Sequence, residues 1–227
     1  MMQRVCHICN AKSYEPNARF CHICGAELSG TISSAQRDIE PVDLGLPSGT
    51  KWANMNIGAV RPEDMGGYFA WGEIEEKECY EWSTYIHCNG TDDGCYNLGN
   101  TICGTEYDVA HVKSGGIWRI PSFEQIKELV NNCIFEWIIV DDTPGGRFTS
   151  IYNDQGIFLP AAGVRFGSRS GCFHSDGRYW SGTPGSDFEH IACALNFDSE
   201  GAHASNGWGR IWSSRYLGQS IRPVLTT

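Results

Sequence analysis

The sequence has no long apolar run and little charge. Its longest apolar-rich stretch is IFEWIIV at 134–140, far shorter than the roughly 20 residues that cross a bilayer. Lys and Arg number 17 against 27 Asp and Glu, and this acidic balance argues against binding along a nucleic-acid backbone. The opening residues, MMQRVCHICN, lack the apolar segment of a secretory signal. We therefore expect a cytoplasmic chain without a membrane span, unless a larger particle carries it out of the cell.

Glycine and aromatic residues are abundant. The chain has 27 glycines, and 12% of its residues are aromatic, which favours short strands and long loops over a helical bundle. Strand-like runs occur in IFEWIIVDD, GRFTSIYN, GIFLPAAGV, HIACALNFD and SIRPVLTT, with turn residues between them. Mixed strands with one or two helices predict an α+β domain.

The clearest helix is predicted for PSFEQIKELVNNC. Ser122 is placed to cap its N-terminus, with Gln125 completing a capping box. The apolar residues of the segment recur at helical spacing and form one stripe, with Cys133 as its last member. A shorter helix is expected near EYDVAHV.

Two C-x-x-C knuckles lie near the N-terminus, and 11 residues separate them. Their thiolates can close a tetrahedral zinc site, and the predicted ligands are Cys6, Cys9, Cys21 and Cys24. The alternatives are a disulfide pair or a redox C-x-x-C. We assign 1–28 to a zinc ribbon that serves as a structural or docking appendage, 29–40 to a linker, and 41–227 to the main domain.

The other seven cysteines follow no metal-ligand spacing. Cys133 and Cys193 are predicted to be small buried hydrophobes. Cys88, Cys95 and Cys103 could pair if the protein were exported. No Ser/His/Asp or Cys/His set is evident from spacing, so we do not expect an enzyme.

Six ordered motifs carry a family resemblance. They are VDLGLPSGTKWANMNIGA, PEDMGGYFAWGE, GGIWRIPSFEQIKEL, IFLPAAGVR, YWSGTP and GQSIRPV. Together they closely resemble the Fibrobacter succinogenes major paralogous domain family, which is abundant in gut Bacteroidetes. The resemblance covers roughly 41–227 and implies a C-type-lectin-like fold, shared with formylglycine-generating enzymes. The family also includes variable proteins of diversity-generating retroelements, whose C-terminal segment is mutated to create new ligand-binding surfaces. If this chain is one of them, the particle that carries it out of the cell could be a phage.

The stretch FDSEGAHASNGWGRIWSSRYLGQS lies where such a variable segment would lie. Retroelement mutagenesis acts on adenines, often in Asn-type codons, and yields Arg, Ser or His but not Lys. From Ala161 to the end there are six arginines and no lysine. Trp208 and Trp212 are not reachable in this way and would be fixed scaffold residues, or else count against diversification.

Residue type also suits this segment for recognition, because Trp, Tyr and Arg dominate binding hot spots while Ser, Gly and Asn adapt. We expect a protein or cell-surface ligand, with Trp180 and the RPV end holding the frame. The alternatives are an ordered loop that packs on the domain, a structural or assembly protein with a fixed partner, and an enzyme of the formylglycine-generating type. The predicted ligand contacts come from three loops: Phe166, Ser168, Arg169, Phe173 and His174 from the first, Phe188, Glu189 and His190 from the second, and His203, Ser205, Asn206, Arg210, Trp212 and Arg215 from the third.

Overall fold

The computed structural model describes two short N-terminal strands and residues 39–186, 188–207 and 213–225. The chain divides into two units, Met1–Asp38 and Ile39–Thr227. In the first unit, strand β1 (Arg4–Val5) pairs antiparallel with β2 (Lys12–Ser13). The four predicted zinc ligands and all but the last two residues of the predicted linker lie outside the described residues.

The second unit is α+β, as the sequence predicts, with mostly antiparallel sheets and few helices. Two single 3-10 turns, Trp82–Thr84 and Asp92–Gly94, lie in the long connection that precedes the first α-helix. The described α-helices and strands of the second unit are β3 (Pro41–Asp43), β4 (Lys51–Ala53), α1 (Val109–Lys113), α2 (Phe123–Asn132), β5 (Cys133–Val140), β6 (Thr143–Ser150), β7 (Gly156–Pro160), β8 (Val164–Phe166), β9 (Arg169–Gly171), β10 (Gly177–Pro184), β11 (Ala192–Asp198), β12 (Gly201–Ser205) and β13 (Val224–Leu225).

The strands of the second unit form four small antiparallel sheets. Their strand orders are β13-β4-β3, β5-β6-β7, β8-β9 and β10-β11-β12. The last sheet is a meander in which Leu195 of the central strand faces Tyr179 on one side and Ala204 on the other. Helix α2 packs against both the β10-β11-β12 and the β5-β6-β7 sheets. The resulting core is rich in aromatic rings, and Phe197 contacts both Phe148 and Tyr179.

Helix α2 begins where the capping pattern predicts. The Ser122 hydroxyl accepts from the Gln125 backbone N–H, and the Gln125 side chain accepts in return from the Ser122 N–H at 3.0 Å. The helix ends at Asn132, so the prediction that Cys133 extends its apolar stripe is wrong. Cys133 instead begins β5, because its backbone enters the ladder opposite Ser150, and the long-range pairing overrides the local helical period.

Helix α1 confirms the short helix expected near EYDVAHV. It is capped by Asp108, whose side chain is fully buried. The carboxylate accepts from the backbone N–H groups of Ala110 and His111 in the helix and from those of Gly104 and Ile120 in the flanking chain. One carboxylate thus joins the helix to the strand-like segment at Ile120. Burial raises the pKa of Asp108, and the backbone donors oppose that rise.

Two buried side chains from the C-terminal third hold the frame, and both were predicted to do so. Trp180 has no exposed surface, and its indole N–H donates to the Phe69 carbonyl at 2.9 Å. Arg222 of the RPV segment is also buried, and its guanidinium donates to Asn56 Oδ1 and to the carbonyls of Ala53 and Phe158. Three chain segments therefore meet at one cation.

Among the described residues, no helix is long and apolar enough to span a bilayer.

Candidate functional site

An open pocket of about 480 Å³ lies at the tip of the β8–β9 hairpin. We call it the aromatic pocket. Four of its eight lining residues are aromatic, and two carry charges of opposite sign. The lining residues are Tyr80, Glu81, Trp82, Phe166, Gly167, Ser168, Arg169 and Tyr216.

Backbone hydrogen bonds fix the hairpin tip against the opposite wall of the pocket. Gly167 and Tyr80 exchange both N–H to carbonyl bonds, each 2.8 Å long. Gly167 has a φ of +52°, in the left-handed region that glycine enters without a side-chain penalty. Arg165 exchanges the same pair of bonds with Gly218, at 2.8 and 3.0 Å. The pocket is therefore held by main-chain pairing that does not depend on the identity of the exposed side chains.

The aromatic wall is built from segments far apart in the chain. The ring centroids of Trp82 and Tyr216 are 4.6 Å apart. Those of Trp82 and His190 are 6.2 Å apart, in a T-shaped arrangement. Phe188 contacts His190 in turn, with centroids 5.4 Å apart. Tyr80, which is buried, donates its hydroxyl to the Tyr68 carbonyl at 2.6 Å, and burial raises its pKa to about 12. Successive ring contacts thus connect Tyr216 and Trp82 in the pocket with His190 and Phe188 in the segment after β10.

The polar groups of the pocket lie at its rim. Glu81, Ser168 and Arg169 are all exposed. A guanidinium can bind a carboxylate or phosphate in a bidentate way, and a carboxylate accepts from ammonium or guanidinium groups. Aromatic faces add stacking area at low conformational cost. This arrangement can hold a ligand that combines an apolar or planar part with charged groups, as a protein surface does.

The structure brings part of the predicted contact set together. Phe166, Ser168 and Arg169 line the pocket directly. The His190 ring contacts Trp82, which lines the pocket, and the Phe188 ring contacts His190. Residues from the first and second predicted loops thus meet around one exposed surface.

Phe173 and His174 lie elsewhere on the β8–β9 hairpin. Phe166 faces Arg169 at the tip, whereas Val164 faces Gly171 at the open end that leads to these two residues. Their rings stack with centroids 4.0 Å apart, and both are exposed. They form a second exposed aromatic spot at the end of the hairpin away from the pocket.

The residues predicted from the third loop separate into different environments. The stretch FDSEGAHASNGWGRIWSSRYLGQS contains a strand that its residue pattern does not predict. His203 and Ser205 both belong to this strand, β12. Ser205 is buried, and its hydroxyl accepts from the Gly207 N–H. Asn206 is exposed, as is Glu189 of the second loop. Within the described part of this stretch, 201–207 contributes no side chain to the pocket lining.

Arg215, also in the predicted contact set, is buried with 4% of its surface exposed. Its guanidinium lies 4.2 Å from the ring centroid of Trp71 and donates to the carbonyls of Ile191 and Tyr96. Its backbone N–H donates to the His190 carbonyl at 2.9 Å. Arg215 therefore positions the His190 segment and its neighbour Tyr216 from below. Arg210 and Trp212 lie outside the described residues.

Sequence reasoning missed Glu81, Trp82 and Tyr216. The only local signal is the concentration of aromatic residues in CYEWSTY, and this pattern also fits a buried segment. Tyr216 follows Arg215 directly in the same turn, yet Tyr216 is half-buried whereas Arg215 is buried. A contact between the Trp82 and Tyr216 rings requires the fold, because more than half of the chain separates them.

Two further cysteines of the C-terminal third are Cys172 and Cys193. Burial raises the pKa of the Cys172 thiol and raises that of Cys193 to about 11, and both shifts disfavour the thiolate, which is the reactive form. Among the described residues, no cluster of three or more His, Cys, Asp or Glu side chains could hold a metal ion.

The aromatic pocket, its charged rim and the adjoining Phe188–His190 surface make up the candidate site. It combines aromatic rings with exposed charged and hydroxyl groups. Comparison of the chain with protein-family models, with curated proteins and with solved structures finds no match in any of the three.

Proposed function

We propose that the second unit is a C-type-lectin-like domain that binds a protein or cell-surface ligand through the aromatic pocket and the exposed residues beside it. The six ordered motifs support the fold assignment, and the α+β class with small antiparallel sheets and few helices is compatible with it. Binding without catalysis is the proposed activity.

One observation carries this proposal. Phe166, Ser168 and Arg169, which the sequence places in the contact set, line one pocket together with Trp82 and Tyr216. Rigid aromatic anchors with an adaptable polar rim are the composition of recognition surfaces. Main-chain pairing and the buried frame support the pocket from below, so its exposed side chains can change without loss of the fold.

We further propose that the C-terminal segment is diversified, as in the variable proteins of diversity-generating retroelements. Within this segment the frame residues Trp180 and Arg222 are buried, whereas Arg169, His174 and Asn206 are exposed. The absence of lysine after Ala161 agrees with adenine mutagenesis. The N-terminal knuckles are proposed to hold one structural zinc ion that folds the ribbon, because a segment of this size has too small a core of its own.

The DNA beside the gene tests diversification. We expect a near-repeat of the DNA encoding 161–222 that differs mainly at adenines and lies next to a reverse-transcriptase gene. Substitutions spread evenly over all four bases, or no repeat at all, would contradict diversification.

Ligand binding is tested with libraries. A library randomised at Ser168, Arg169 and His190 on the intact chain should yield binders to several unrelated protein targets. A matched library at Glu136, Arg147 and Gln155, which are exposed on or beside the β5-β6-β7 sheet, should yield few. Equal yields from both libraries would contradict the assignment of the pocket.

An assembly protein with a fixed partner is the second candidate. Strand β5 is at the edge of its sheet, and Ile134 and Ile139 on it are 57% and 70% exposed. Apolar edge strands invite pairing with another chain. Measurement of the molar mass of the intact protein in solution, with Ile139→Lys as the variant, tests this role. A stable oligomer that this variant dissociates would favour assembly.

A further inference from the structure

Cys88 and Cys95 lie directly opposite each other in a short antiparallel bridge. The Tyr96 N–H donates to the His87 carbonyl at 2.8 Å, and the Asn89 N–H donates to the Gly94 carbonyl at 3.0 Å. The two cysteines are thus a non-hydrogen-bonded pair of the antiparallel bridge, and Cα atoms in such pairs are about 4.5 Å apart. Disulfides span Cα separations of about 4.4–6.8 Å.

The two side chains share one environment. Residues directly opposite in an antiparallel pair project to the same face, and both cysteines belong to a buried cluster with Tyr68, Tyr80 and Tyr85. Both are free thiols, 8% and 7% exposed. Burial raises the pKa of Cys95 to about 11, and the neighbouring Cys88 adds to that rise. The two thiols therefore lie in one buried environment on the same face of the bridge.

We propose that Cys88 and Cys95 form a cross-strand disulfide when the chain folds in the presence of a small-molecule disulfide such as oxidised glutathione. One cysteine thiolate attacks the glutathione disulfide, forms a mixed disulfide and releases one glutathione thiolate. The second cysteine thiolate attacks the protein sulfur of the mixed disulfide and releases the other glutathione. One S–S bond is broken and one is formed, and the two cysteine protons end on two glutathione thiols.

The timing of this reaction follows from burial. In the folded protein at neutral pH the thiolate of Cys95 is scarce, so exchange with a disulfide is slow. The bond therefore forms while the 88–95 hairpin is still open to solvent. After folding, the same burial protects it from reducing thiols.

The bond would act beneath the aromatic pocket, although this inference is independent of what the pocket binds. The Cys88 thiol donates to the Trp82 carbonyl at 3.3 Å and to the Tyr85 carbonyl at 3.4 Å. Oxidation removes this donor and links Cys88 covalently to Cys95, the residue before Tyr96. The Tyr96 carbonyl accepts a hydrogen bond from the Arg215 guanidinium. The 88–95 hairpin therefore connects the segment of Trp82 with that of Arg215.

The test refolds the full chain from the reduced, denatured state, in oxidised and reduced glutathione or in a dithiol reductant. Remaining thiols are alkylated, and the protein is digested with chymotrypsin and an Asp-specific protease. Cleavage after the aromatic residues separates Cys88 and Cys95 from Cys79 and Cys103, and cleavage at Asp92 separates them from each other. We expect the peptides on either side of Asp92 to remain joined in the oxidised sample only.

The oxidised chain should also melt at a temperature higher by roughly 5 °C or more, because a closed loop of this length restricts the unfolded chain. Cys88→Ser and Cys95→Ser should each abolish the joined peptides and this shift, and Cys193→Ser should retain both. Alkylation of Cys88 and Cys95 in the oxidised wild type, or pairing of either one with another cysteine, would overturn the proposal. The wild-type peptide map decides the matter even where a variant fails to fold.

Discussion

The rings of Trp82 and Tyr216 pack with centroids 4.6 Å apart and close one side of the aromatic pocket. Neither residue lies on a regular strand or α-helix, and each is held by a neighbour that is buried. Tyr80 fixes the Trp82 segment by pairing with Gly167, and Arg215 fixes Tyr216 by its contacts with Trp71 and Ile191. The rings that line the pocket are thus separate from the buried groups that position them.

This separation predicts a difference in tolerance to mutation. Arg169→Ala and Ser168→Ala should each change the free energy of unfolding by less than about 0.5 kcal/mol, as exposed substitutions do. Arg215→Ala should cost about 2–4 kcal/mol, because it removes the hydrogen bonds to the Ile191 and Tyr96 carbonyls and opens a cavity beside Trp71. Urea unfolding of the three variants measures these values. A cost for Arg169→Ala equal to that for Arg215→Ala would contradict the division.

Arg222→Met should destabilise the second unit by about 3 kcal/mol or more. Methionine fills similar volume but leaves Asn56 Oδ1 and two carbonyls without their buried donor. Arg147→Met, at an exposed position of β6, is the matched control and should be near neutral. Equal stabilities of the two variants would show that the Arg222 network does not hold the frame.

Asp108→Asn should cost about 2–3 kcal/mol. Both carboxylate oxygens accept backbone N–H groups, and an amide would direct N–H donors at other donors on one side. Asp92→Asn, at an exposed position, is the matched control and should have little effect. The comparison is made by thermal unfolding of the intact chain, and a small loss for Asp108→Asn would mean that the local backbone rearranges.

The free energy of unfolding should fall as pH rises above about 8.5, the ordinary pKa of a thiol. Burial raises the pKa of Cys193 to about 11 and that of Tyr80 to about 12. The folded state therefore favours their neutral forms, and the stability that depends on this preference is complete below the unfolded pKa values. It is lost as pH passes through the raised folded values. Urea unfolding at pH 7, 9 and 10.5 measures the loss, and Cys193→Ala should reduce its slope. A flat profile would contradict the burial of these groups.

The ribbon prediction concerns residues outside those described. The intact protein, purified without chelator, should contain one zinc ion per chain by elemental analysis. Cys6→Ser should lose it, since three thiolates do not complete a structural site, whereas Cys193→Ser should keep it. Zinc in both variants would place the ion elsewhere.

Local chemistry made some elements readable from the sequence. The Ser122–Gln125 capping box and the apolar stripe after it define α2, because a cap and a helical period involve only neighbouring residues. The strand positions of Cys133 and of β12 were not predicted, since each belongs to a hairpin in which paired residues are up to 11–17 positions apart (Ala194 with Ser205, Cys133 with Ser150). Of the predicted contacts, Arg169 and Arg215 have the same side chain in similar loop composition, yet one is exposed and one is buried.

The sequence by itself determined the α+β class, the start of α2 and the role of Trp180 and of the RPV segment in the frame. Only the tertiary structure decided that Trp82 and Tyr216 close the pocket, that Arg215 supports it from inside, and that Cys88 faces Cys95. Caps and periods depend on residues within a few positions of each other. Pockets and cross-strand pairs depend on which distant segments the hydrogen-bonded ladders bring together.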